Sequence, residues 1–381
     1  MFRVDILGKD ASMLSMSIES FNPTGDTGPT PENIEGGTEA KSPEWSPGNR
    51  FLRDYSVEEQ IKGAEILEIN GEAVEVIDIS PKKEKTDTPV LVAPGWGATP
   101  QFLRENIQRL VEGSGPDGGR RTISINTPHG IDLIGARPGT SVSRAVARRR
   151  VGQAAEEEVA EDYLTEETIT EAELRKVAAT MRVLEDKKID KVDVVAHSEA
   201  CINVLLAAVL YPEKIGNIVL INPAGLMSKD NPVSLSVRFS MDSIKRSLRE
   251  VVSGFPGGKQ FARRMSNAGV EVAKSVIKNP LQSIREINAI AKTHTAELID
   301  ELRAKGIHIS IIHSSEDKTF PLEEVKKMAS AREIDEFYTI EGGHGEIMLN
   351  PEKVTDLADQ ALVRMEKNSR MEQIQRESQA A

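Results

Sequence analysis

The 381-residue chain carries 48 Lys and Arg against 60 Asp and Glu, a formal net charge of −12, and is 39% apolar but only 4% aromatic. The length suits one large α/β domain with insertions or two average domains, and the acidic balance argues against nucleic acid as the main partner, because phosphate contacts need clustered cations. The one cysteine, Cys201, excludes an intramolecular disulfide and argues against a Cys-based metal site, and no apolar run approaches the roughly 20 residues of a membrane span.

Met1–Ser20 has no basic start followed by an apolar stretch, so no secretory signal is read and the cytoplasm is the expected location. Residues 1–55 read as a tail. Asn22–Arg50 is rich in Pro, Gly, Thr, Glu and Ser, and such a segment buries too little apolar surface to offset its ordering entropy. Disorder is expected there, apart from a short docked piece at Phe2–Leu7.

Structure is expected to begin near Ile61. Glu65–Ile79 holds two β-rich runs around Asn70-Gly71, the signature of a tight hairpin. Pro89–Ala93 is a short apolar run that reads as a buried strand ending at the breaker cluster Pro94-Gly95-Trp96-Gly97. Phe102–Val111 has helical spacing, and Thr122–Asn126 is strand-like. Ile131–Glu167 is a long connection, basic at Arg144–Arg150 and acidic at Glu156–Glu167. Thr170–Ile189 reads as a helix opened by a Thr170/Glu173 capping box, with Leu174, Val177, Ala178, Met181 and Leu184 on one face.

Val192–Ala196 is a strand, Cys201–Leu210 a helix apolar nearly all round, and Asn217–Asn222 another buried strand. Leu226–Lys292 is helical in pattern and basic, with 12 Lys and Arg against 5 Asp and Glu. Ile307–His313 and Glu336–Ile340 are two further strands, and Pro351–Met365 closes with a helix. The alternation predicts an α/β fold: a mostly parallel sheet covered by helices on both faces, with an antiparallel edge. The expected organisation is a core over 56–225 and 293–366, a helical cap over 226–292, and a charged tail of frayed helix over 367–381.

Chemistry concentrates at strand ends. Ala196-His197-Ser198-Glu199-Ala200 joins a buried strand to a buried helix. Its serine is either an ordinary helix N-cap or a nucleophile held on a strained turn at the top of the sheet. The Pro94–Gly97 cluster after the earlier strand is either a plain glycine turn or the second half of an oxyanion hole built from the backbone N–H groups of Trp96 and Glu199. Asp317, in Ser314–Pro321, is a loop aspartate or a carboxylate that orients a histidine. His344, flanked by Gly343 and Gly345, is a surface histidine or a general base. All four elements follow predicted strands, and Ser, Asp and His occur in that order, which favours the functional reading.

These motifs resemble the α/β-hydrolase superfamily of lid-bearing lipases, esterases and C–C hydrolases over about residues 61–366. Pro94-Gly95-Trp96-Gly97 is similar to its His-Gly-x-Gly oxyanion loop, with Pro94 where His is usual. Asn126–Gly130 and Leu220–Gly225 resemble its segments after the next strand and before the cap, and Asp317 with Pro321 and Gly343-His344-Gly345 with Pro351 match its acid and base motifs. The resemblance implies an α/β-hydrolase sheet with an inserted helical cap. It makes Ser198 the nucleophile, His344 the base and Asp317 its orienter, with an acyl-enzyme formed from an ester, thioester or amide and with no cofactor.

Ala196 and Ala200 stand where glycines are usual. Glu199 is expected to point outward into solvent; inward, it would oppose the oxyanion or act as an extra acid–base group. Glu316, beside Asp317, is the candidate substitute acid. Gly95, His129 and His197 are candidate pocket residues, His197 as support for the turn. His308 and His313 are expected to be structural, and Cys201 a small buried residue. The six histidines show no metal-ligand spacing. The expected partner is a small acyl substrate, anionic or lipid-like beneath a basic cap that steers anions or rests on an anionic membrane surface. A non-catalytic binding or scaffold module, and a C–C hydrolase or peptidase, are the alternatives.

Overall fold

The computed structural model describes residues 3–6, 14–17, 64–69, 72–113, 115–126, 171–227, 286–291 and 293–380. Strands β1 (Arg3–Ile6) and β2 (Leu14–Ser17) pair antiparallel, with Arg3 opposite Ser17. Residues 18–55 of the expected tail, the connection 131–167 and nearly all of the expected cap lie outside the described residues.

β3 (Glu65–Ile69) and β4 (Glu72–Ile79) form the expected hairpin on either side of Asn70-Gly71, with Glu65 opposite Val76. β4 runs antiparallel to β6 (Thr122–Asn126). β5 (Val90–Ala93), β6, β7 (Val192–His197), β8 (Ile215–Ile221), β9 (Ile309–Ser314) and β10 (Glu336–Ile340) are parallel, in a sheet ordered β10-β9-β8-β7-β5-β6-β4-β3. β7, β8 and β9 are buried along their whole length. Continuous apolar strands are what a sheet covered on both faces requires.

From β5 the chain passes through α1 (Arg104–Glu112) to β6 on one side, then returns through α2 (Glu171–Asp186) to β7 on the other. Strand order therefore reverses between β5 and β7, and in such sheets the crevice beyond the carboxyl ends at the reversal is where ligands bind.

After β7 come α3 (Ala200–Leu210), α4 (Leu298–Ala304), α5 (Leu322–Ser330), α6 (Glu346–Leu349) and α7 (Pro351–Ala380). The helices α2 to α5 cover one face of the sheet, with Val177, Leu205, Ile299 and Val325 in that core, while α1, α6 and α7 cover the other through Ile107, Ile347 and Leu362. α3 packs against β7, α2 and α4, which is why its sequence is apolar all round. Each large aliphatic side chain so buried contributes about 1.5–3 kcal/mol.

Two features depart from the reading of the sequence. α4, α5 and α6, of 7, 9 and 4 residues, are helices that the reading does not include. α7 runs unbroken through Ala380 instead of ending near Met365. Its last half is rich in Glu, Arg and Gln, strong helix formers, and Glu366 accepts from Arg120 Nη1 at 2.6 Å. Glu173 is buried, and Thr170, its partner in the expected capping box, lies outside the described residues.

The chain on either side of residues 228–285 is drawn together. Thr295 N–H donates to the Gly225 carbonyl at 2.8 Å, and His294 Nδ1 donates to the Met227 carbonyl at 2.7 Å. Residues 286–291 are helical.

Candidate active site

Ser198 follows β7 and precedes α3, at the reversal point of the sheet. Its φ is +56°, in the left-handed region, which costs a non-glycine residue roughly 1–2 kcal/mol. The turn is over-determined by its neighbours. Ser198 N–H donates to the Ile221 carbonyl at 3.0 Å, and the Ser198 carbonyl accepts from Cys201 N–H at 3.1 Å and Ala224 N–H at 3.2 Å. Ala196 and Ala200 are both buried, so their methyl groups fit where glycines are usual.

His344 lies in the loop between β10 and α6, and Asp317 in the loop between β9 and α5. His344 Nδ1 is 2.8 Å from Asp317 Oδ2, and His344 Nε2 is 2.9 Å from Ser198 Oγ. The carboxylate accepts from Nδ1–H, which leaves Nε2 to accept from the serine hydroxyl. Burial opposes charge on Asp317, but the adjoining His344 ring and the Phe320 N–H at 2.9 Å hold its carboxyl below the ordinary range. Thr319 N–H donates to the same oxygen at 2.8 Å. All three side chains are buried. An imidazole held between an ionised carboxylate and a hydroxyl can take the hydroxyl proton and return it to a leaving group. Glu316, the alternative acid, is exposed.

The Pro94–Gly97 loop presses on the serine. A Cβ on Gly95 would lie 2.8 Å from Ser198 Cβ and 2.9 Å from the His197 carbonyl oxygen, so only glycine allows this approach. The Trp96 segment is thereby brought beside the start of α3. Trp96 Nε1 donates to Glu286 Oε2 at 2.7 Å.

His197 is buried beneath His344, with ring centroids 5.0 Å apart. Burial, reinforced by the neighbouring His344 ring, pushes its pKa down to about 3. The neutral ring donates Nε2–H to the His344 carbonyl at 3.0 Å and so supports the His344 loop. His313 is likewise buried and contacts the Phe320 carbonyl through Nε2 at 2.9 Å, and His308 pairs with Asp335 through Nδ1 at 2.7 Å. Burial raises the Cys201 pKa, and its thiol donates to the Ala196 carbonyl at 3.4 Å. His129 lies outside the described residues.

Glu199 does not point into solvent. Its side chain is 97% buried by its 3% exposure, is ion-paired with Lys176 of α2, and accepts from Asn203 Nδ2 at 3.3 Å. The outward expectation treated it as an unpaired surface acid, and a buried cation brought by another helix reverses that balance.

Asn222 is the residue that local reading missed. Its Nδ2 donates to the His344 carbonyl at 2.8 Å and to Ser314 Oγ at 3.1 Å, while its Oδ1 accepts from Ser314 N–H at 2.7 Å. One amide thus links the end of β8, the strand β9 and the His344 loop. The available signal was a lone Asn ending a buried strand before Pro223, where its φ is +45°.

No curated protein matches this chain. Among solved structures, it is similar to a bacterial membrane phospholipase A at 13% identity, with 84% of this chain and 92% of that one covered and a TM-score of 0.52. A carboxylesterase structure from Nitrososphaera gargenis aligns at 16% identity over 80% and 100% of the two chains, with a TM-score of 0.51. The enol-lactonase of Burkholderia xenovorans LB400 aligns at 10% identity over 78% and 100%, with a TM-score of 0.52. At these identities the likeness is one of fold. The profile of the family described as alpha/beta hydrolase of unknown function (DUF1057) matches residues 158–359, more than half of the sequence and a span that holds Ser198, Asp317 and His344, and the chain belongs to that alpha/beta hydrolase family.

Proposed function

We propose that this protein is a serine hydrolase that cleaves a carboxylic ester or related acyl bond, with Ser198 as nucleophile, His344 as general base and acid, and Asp317 as the group that orients and balances His344. The observation that carries the reading is the unbroken Asp317–His344–Ser198 chain, with contacts of 2.8 and 2.9 Å, ending on a serine whose φ is +56°. Ser198 Oγ attacks the acyl carbon as His344 Nε2 takes its proton. The carbonyl π pair moves to oxygen, where the Trp96 and Glu199 backbone N–H groups receive it. Collapse expels the leaving group with the proton from His344. Water, deprotonated by His344, then repeats the sequence on the acyl-enzyme and frees Ser198.

The substrate enters beneath a cap formed by residues 226–292. Support comes from the pairing of the flanking chain at Gly225–Thr295 and Met227–His294, and from the Trp96–Glu286 bond at the edge of the insertion. The cap's 12 Lys and Arg against 5 Asp and Glu favour an anionic acyl substrate or an anionic lipid surface. Among the described residues no helix is long and apolar enough to cross a membrane.

The test is fluorophosphonate labelling with peptide mass spectrometry. A mark on Ser198 that disappears in Ser198→Ala and His344→Ala is expected. A folded protein that stays unlabelled where a reference serine hydrolase reacts fully would instead be a non-catalytic binding module. Neutralising Arg263 and Arg264 is expected to slow turnover of anionic esters more than neutral ones, and equal effects would remove the charge argument.

A further inference from the structure

Behind Ser198 lies a buried charged cluster that the hydrolytic mechanism does not use. Lys176, Glu173 and Glu199 are buried, as is Glu286 at the edge of the cap. Lys176 is ion-paired with Glu199, the residue after the serine, and Glu286 accepts from the indole of Trp96. Burial opposes the charge on Lys176, but Glu199, Glu173 and Glu286 together outweigh it and raise its pKa. Burial, with Glu199 adding to it, pushes Glu173 well above the usual carboxylate range. Lys176 also lines one cavity of about 40 Å³ with Ala93, Pro94, Ala200 and Asn203, so it adjoins both the loop after β5 and the start of α3.

A cation buried among acidic side chains is a poor stability device. Desolvation cancels much of the attraction, and an apolar side chain of similar volume often serves as well. Such a cluster does hold geometry. The two oxyanion donors belong to segments remote in sequence, and their spacing must be kept within about 0.5 Å. Glu199 carries one of these donors on its own backbone, and the side chain of Trp96, which carries the other, is held by Glu286.

We propose that Lys176 is a positioning residue: ion-paired with Glu199 and lining one cavity with Pro94 and Ala200, it holds the Ser198 turn against the loop that carries Trp96 and sets the spacing of the oxyanion hole. This rests on the serine-hydrolase reading of the same site.

The test compares wild type, Lys176→Met, Lys176→Met/Glu199→Gln and Lys176→Arg in three measurements: Tm, the kinact and KI of Ser198 phosphonylation, and the NMR resonance of the Trp96 indole N–H, assigned with Trp96→Phe. The double variant removes the stranded charge and is expected to recover Tm. Its kinact should stay about 100-fold below wild type, the scale for loss of one oxyanion donor, while KI stays within about twofold and the indole resonance shifts. Recovery of kinact together with Tm would overturn the proposal, since Lys176 would then only balance charge. If neither methionine variant folds, Lys176→Arg decides: the longer, planar cation is expected to fold with lowered kinact, and a wild-type kinact overturns the clamp. A wild type that never labels fails before any substitution, which marks the hydrolase reading as the one that fell and takes the positioning role with it.

Discussion

Gly95 and Ser198 meet with no room for a side chain between them: a methyl group on Gly95 would stand 2.8 Å from Ser198 Cβ and 3.4 Å from Ser198 Oγ. Gly95→Ala must push the Trp96 loop away from the serine. The expected cost in stability is about 1–3 kcal/mol, the range for overpacking. Loss of activity should be larger, at least about 100-fold. Urea unfolding and phosphonylation rates measure the two effects, and an unchanged phosphonylation rate would separate the loop from the chemistry.

Asn222→Ala removes the amide that serves the His344 carbonyl and Ser314, and leaves an alanine at φ +45°. Buried groups left without partners cost about 1–3 kcal/mol. The variant should unfold at lower urea and show a reduced kcat, because the base loop loses its tether to β8. Wild-type stability would show that the network is dispensable.

Asp317→Asn keeps the shape of the acid but not its function. Oδ1 accepts from the Thr319 and Phe320 amides, so the substituted NH2 must face His344 Nδ1 and favour the wrong tautomer. Activity should fall about 10³–10⁴-fold with the fold retained. Near-normal turnover would mean that another acid orients His344.

His197 provides a pH signature. Its folded pKa, about 3, lies below the ordinary 6.5, so the unfolded chain takes up a proton first as pH falls. The stability it contributes is complete above pH 6.5 and is lost on descending toward 3, by up to about 1.4 kcal/mol per pH unit. Relative to wild type, His197→Asn should show a shallower fall of stability across that window in urea titrations. Parallel curves would exclude His197 as a source of acid sensitivity.

The strand pattern of β3 to β10 was legible within one or two residues at most ends, because apolar runs and breakers such as Pro94-Gly95 are local signals. α4 and α6 were not, since 7 and 4 residues make about two turns or fewer, and α5 was not read although it matches α1 in length. The positions of Ser198, Asp317 and His344 at strand ends were readable as candidates. Lys176 was hidden because it falls three residues after Glu173, where a helix surface pair is the ordinary reading.

Sequence by itself determined the alternation of strands and helices and the order of the chemical groups along it, since both follow from periodicity and turn residues close together in the chain. Only the tertiary structure decided which way Glu199 faces, which amide holds the His344 loop, and that Trp96 meets Glu286 across 190 positions. Those outcomes depend on desolvation and pairing between segments that touch only once the sheet is assembled.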